Sequence, residues 1–230
     1  MNEPRRSILT ALAAGRELES ELLRACDDST PDQPGGWTAR DHLAHLARWR
    51  EHAAAVLDAA RTGAPAPVVP DEDERNAEIY AETHGLAASE VTGRAAASYD
   101  RLLAAIEACS DEDLLKPRRP DSDAPVWGVV PGNGETHAAQ HLVYWHRGRG
   151  DHEAAERVAR RLHAIETEAF TDRGMRAAAT YNLGCFYATA GRPDEALDLV
   201  RQALALDPGL RDWAMQDGDL ESIRPRLATA

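Results

Sequence analysis

Along most of this chain apolar residues recur at intervals of three and four, the period of helices that pack on one side. Ile8, Leu9, Leu12, Leu18, Leu22 and Leu23 follow that period and predict a helix over residues 5–26. A turn over residues 31–36, with two prolines and two glycines, separates it from a second helix over 38–61. Thr38 followed by Asp41 has the spacing of a capping box, and Leu43, Leu46, Val56 and Leu57 form the apolar face beyond it. Pro65, Pro67 and Pro70 exclude regular helix from residues 62–73, because each removes a donor and crowds the preceding turn. A short helix is expected over 74–83, its start favoured by the acidic run Asp71-Glu72-Asp73-Glu74. A longer one is capped by Ser89 and runs to about Ala108 with Val91, Tyr99, Leu102, Leu103 and Ile106. Residues 116–133 read as a second long loop, and 135–146 as an uninterrupted helix. Four principal helices predict an antiparallel bundle. Alternating apolar and polar runs are lacking and β-branched residues are sparse, so the class is all-α.

After Gly148-Arg149-Gly150 the pattern changes to shorter amphipathic helices over 151–170, 175–190 and 193–206. Helical hairpins of that size do not bury their faces alone and stack as repeats. Two domains follow, residues 1–150 and 151–230.

Chemistry concentrates in the helix over 135–146. His137 and His141 lie four apart, so two imidazoles project from one face. Such a pair supplies half of a site for a borderline divalent ion such as zinc, nickel or iron. A third ligand must come from elsewhere, and the second helix offers His45, with His42 and His52 sharing part of the same surface. A ligand set of three is filled by His45, His137 and His141. The neighbours Arg40, Arg48 and Arg147 place His42, His52 and His146 on a polar face, while His84, His152 and His163 read as solvent-exposed. Asp41 and Glu135 are expected to cap helices, with a supporting role behind the ligand imidazoles as the alternative. Trp37 and Trp49 are expected in the core, and Trp127, in the long loop, as core or as the wall of an apolar pocket.

Composition narrows the classes of function. The 230 residues carry a formal net charge of −13, which argues against binding nucleic acid through its phosphates. Cys26, Cys109 and Cys185 show neither the spacing of a Cys metal site nor that of a disulfide framework, and read as buried thiols in a reducing compartment. No apolar run is long enough to span a bilayer, so no membrane partner and a cytoplasmic location are expected.

Two resemblances add to this reading. Tyr181-Asn182-Leu183-Gly184-Cys185-Phe186-Tyr187-Ala188, followed by Gly191, Ala196, Ala203 and Pro208, resembles a tetratricopeptide repeat. Residues 151–170 would then close a preceding unit, and 212–227 would cap the array. Gly36-Trp37-Thr38-Ala39-Arg40-Asp41-His42-Leu43-Ala44-His45-Leu46, the Asn76 segment and His137-Ala138-Ala139-Gln140-His141 resemble the DinB-like superfamily of four-helix bundles, in particular its ClbS/DfsB-like branch. That resemblance implies a three-histidine divalent-metal site at His45, His137 and His141. It also implies metal-dependent thiol transfer to, or hydrolysis of, a small electrophile, as in self-resistance proteins that inactivate a reactive natural product. The alternative is a non-catalytic scaffold whose residues 151–230 recruit a protein partner, and in a third version those residues make a homodimer.

Overall fold

The computed structural model describes residues 3–27, 36–119 and 122–228; the predicted turn over residues 31–36 lies almost wholly outside them. The chain divides into two compact units, 1–155 and 156–230. Among the described residues there is no strand, only an isolated bridge between Pro117 and Pro125.

The first unit is built on α1 (Glu3–Ala25), α2 (Ala39–Thr62), α4 (Ala88–Ala108) and α7 (Glu135–Gly148), with the shorter α3 (Glu72–Thr83), α5 (Asp111–Leu115) and α6 (Val129–Asn133). α2 is the central member and packs on α4, α3, α1 and α7, while α1 also packs along α7. The sequence explains the ends of α2. Thr38 and Asp41 form the predicted capping box, and Gly63 adopts φ 75° to close the helix in the left-handed region. Asp71 caps α3 by accepting from the Glu74 N–H, so that helix starts at Glu72, two residues before the predicted start. Ser89 does not cap α4. The cap position falls on Ala87, which offers no side-chain acceptor. The far end of α4 is held instead from α1, where the Arg5 guanidinium donates to the Ile106 carbonyl at 2.7 Å, to the Cys109 carbonyl and to Asp111.

The predicted loop over residues 116–133 is only partly a loop. Val126–Gly128 forms a 3₁₀ turn that runs into α6, and Val126, Val129 and Val130 are buried. Burying three valines outweighs the low helix propensity of a Pro- and Gly-rich segment, because full burial of each contributes roughly 1.5–3 kcal/mol. Gly134 then allows close passage into α7, since a Cβ there would lie 2.8 Å from the Val130 carbonyl oxygen.

α8 (His152–Ala169) carries the division between the units in its first turn. α9 (Arg173–Thr189) and α10 (Pro193–Leu206) form a hairpin turned at Gly191, which has φ 74°. They close on each other where Gly184 meets Val200: a Cβ on Gly184 would stand 2.8 Å from Val200 Cγ2. α11 (Arg211–Ala214) and α12 (Arg224–Ala228) follow, and Ala214, Leu220, Ile223 and Leu227 complete the core shared by Leu183, Leu197 and Val200.

Candidate metal centre

The packing of α2 on α7 brings His45 against His137 and His141. His137 Nε2 stands 3.2 Å from His45 Nε2 and 3.1 Å from His141 Nε2. One ligand atom from each of the three falls within 4.8 Å of the other two. Two imidazole nitrogens bound to one tetrahedral ion at 2.0–2.1 Å are about 3.3–3.4 Å apart, so the observed spacing suits a shared divalent ion.

Hydrogen bonding among the rings is a poorer account of the same contacts. A neutral imidazole has one N–H and one lone pair, so His137 Nε2 can serve only one of its two neighbours well. The outer nitrogens give a second indication. His45 Nδ1 and His137 Nδ1 are buried and have no hydrogen-bond partner among the described residues. These two rings are therefore held by packing rather than by side-chain hydrogen bonds at their outer nitrogens.

Burial keeps all of these histidines neutral at pH 7. It lowers His45 to about 4 and His42 to about 4. His137 falls to about 3 through burial, with further lowering by His45 and Arg50. His141 lies well below its ordinary value through burial and the neighbouring imidazoles. Neutral imidazole is the form that binds a metal.

His42 is where the structure departs from the expectation of a polar face. It is 5% exposed, and its Nδ1 stands 2.8 Å from His141 Nδ1. Its position three residues before His45 on one helix face was a usable signal; the arginine at position 40 obscured it. His146 is also buried, against Glu21 at 3.1 Å, and His163 is half-buried near Thr180. His84, expected in solvent, meets the buried Asp41 carboxylate at 2.9 Å, while Asp41 also accepts from the Thr38 N–H and hydroxyl. His152 is exposed, as expected. Glu135 is buried in the first turn of α7, and the cap position is Gly134.

Aromatic rings flank the centre. Trp37, half-buried just before α2, stacks on His141 at a centroid distance of 5.7 Å and on Tyr80 of α3 at 5.6 Å. Trp49, also half-buried, donates from Nε1 to Asn76 Oδ1 at 3.0 Å and meets the rings of His45 and His137. Neither tryptophan is wholly in the core, where the sequence placed both. Trp127 is buried in its 3₁₀ turn. Tyr144 is 56% exposed, and its ring stands on edge to His141 at 5.8 Å.

The bundle also holds a buried ion pair. Arg50, 1% exposed on α2, donates to Glu19 of α1 and to the Ala95 carbonyl and Ser98 hydroxyl of α4. One guanidinium thus ties three bundle helices together through hydrogen-bonded contacts.

A helical bundle with convergent imidazoles from two of its helices, walled by aromatic rings, defines a class of metal-binding architecture. Comparison with known families narrows it. The model of the DinB superfamily matches residues 11–149, more than half of the chain, and the protein belongs to that superfamily. A tetratricopeptide repeat model matches residues 135–208, so α7 is read by both. Neither a curated protein nor a solved structure gives a significant match.

Proposed function

We propose that the protein is a metal-dependent enzyme acting on a small reactive electrophile by thiol transfer or hydrolysis, in the manner of the ClbS/DfsB-like branch. The observation that supports this most directly is the convergence of the Nε2 atoms of His45, His137 and His141. These three residues would hold the ion, and membership of a superfamily whose members often bind divalent metals supports the assignment. A bound divalent ion supplies Lewis acidity and lowers the pKa of a water or thiol toward neutrality. The chain's own residues set the surroundings. Burial holds the imidazoles neutral, so the ligand set adds no charge and the site keeps the full positive charge of its cation. Trp37, Tyr80 and Tyr144 supply ring faces and edges suited to an apolar or planar substrate, and the hydroxyl of the exposed Tyr144 can donate to a polar group on it.

The test is elemental analysis of the purified protein beside its His45→Ala and His137→Ala variants. Near-stoichiometric zinc, nickel or iron in the parent and none in either variant is the expected result. Protein that stays metal-free after incubation with these ions would overturn the reading.

The tetratricopeptide match favours a second role, recruitment of a protein partner, because such repeats bind proteins through their helical faces. It is compatible with catalysis in the bundle. Capture of a specific partner by the full chain, lost when its C-terminal unit is replaced, would support it.

A further inference from the structure

We propose that His42 is a positioning residue for His141: its Nδ1 accepts a hydrogen bond from the Nδ1–H of His141 and so turns the His141 Nε2 lone pair toward His45 and His137. The inference rests on the metal reading above, and on a contact that the three-ligand set leaves unexplained. At 2.8 Å, His42 Nδ1 to His141 Nδ1 is shorter than either contact between the three ligand imidazoles. It also lies at the opposite nitrogen of the His141 ring from the one that faces His137.

The tautomers follow. An imidazole that offers its Nε2 lone pair carries its hydrogen on Nδ1, so His141 is the donor and His42 the acceptor, with the His42 hydrogen on Nε2. Both rings are buried, at 5% and 8% exposure, where a hydrogen bond is electrostatically stronger than in water. His42 is itself held in place. It sits in the first turn of α2, which Asp41 locks through Thr38 and His84, and it presents its ring from the same helix face as His45. α2 thus delivers one ligand directly and orients another across the helix interface. The outer nitrogens of His45 and His137 have no such support, so among the described residues His141 is the one ligand whose outer nitrogen meets another side chain. Outer partners of metal-bound histidines typically change metal affinity 10- to 100-fold.

The experiment is a zinc titration by calorimetry of the full chain, its His42→Leu and His42→Asn variants, and His141→Ala, with melting curves of each metal-free protein to establish folding. Leucine keeps the bulk and apolar fit of the site but removes the acceptor. Asparagine fits less well but places a carbonyl oxygen where Nδ1 was. A positioning role predicts that His42→Leu weakens zinc binding by roughly 10- to 100-fold, while His42→Asn stays within a few-fold of the parent. A packing role reverses that order. Nitrogen-15 spectra of the zinc-loaded parent should also show a hydrogen-bonded Nδ1–H on His141, a readout that survives if the leucine variant fails to fold. Unchanged affinity in His42→Leu, equal loss in both variants, or no such proton in the parent would overturn the inference. Failure of the parent to bind zinc at all would instead remove the metal reading beneath it.

Discussion

His45, His137 and His42 are residues whose side chains are costly to charge where they stand. Their folded values lie at about 4, about 3 and about 4, against 6.5 for the free side chain. Between those limits the unfolded chain binds more protons than the native one, so stability rises with pH. The metal-free protein is therefore expected to keep its full stability above pH 6.5 and to lose it as the pH falls toward 4, by about 1.4 kcal/mol per group for each pH unit. Urea melts at pH 7.5, 6 and 5 measure this, and a midpoint unchanged across the series would contradict it. Arg50 makes a separate prediction. Arg50→Met leaves Glu19 buried without its partner and should cost about 3–5 kcal/mol at pH 7, whereas Glu19→Gln with Arg50→Met should recover much of that loss. Denaturant midpoints of the two proteins compare them directly. The pairing of His137 with His141 was legible in the sequence because the i, i+4 spacing fixes both on one face. His42 was assigned to the wrong surroundings, because helical spacing gives direction around a helix and not the depth to which a neighbouring helix covers it.

At the scale of elements, close helix approach makes two glycines opposite in character. Gly15 of α1 lies against α7, where a Cβ would come within 2.3 Å of Glu135 Cβ and 2.7 Å of its Cα. Gly93 of α4 is exposed, with nothing within 4 Å of the same position. Gly15→Ala is expected to destabilise by about 1–3 kcal/mol despite its better helix propensity, and Gly93→Ala to stabilise by about 0.5–1 kcal/mol. Thermal melts of the two variants should shift in opposite directions. The start of α2 was readable because the Thr38–Asp41 capping box marks it, whereas α3 starts two residues before its predicted start, where Asp71 caps it. The start of α4 was missed by two residues because Ala87 leaves no chemical mark. Residues 126–133 were read as loop because proline and glycine dominate local propensity, and the burial that makes them helical belongs to the bundle rather than to the segment.

Across the whole molecule, each of the three imidazoles proposed as ligands comes from the first compact unit, residues 1–155. A chain ending at Ala155 is expected to bind zinc with the affinity of the full protein, as measured by calorimetry; a loss of more than tenfold would mean that the second unit takes part. Among the described residues no helix is long and apolar enough to cross a membrane. The sequence alone determined the all-α class, the bundle with its repeat-like tail, and the two-histidine face of α7. Each of these follows from periodicity, capping and turn chemistry within a short stretch of chain. The tertiary structure decided what distant segments do to each other: that both His45 and His42 of α2 meet that face, that His42 lies buried against the outer nitrogen of His141, and that Arg50 is enclosed with Glu19. Those outcomes depend on which turn of α2 packs against α7 and α1, a choice set by side-chain volumes across the interface, and no spacing along the chain records it.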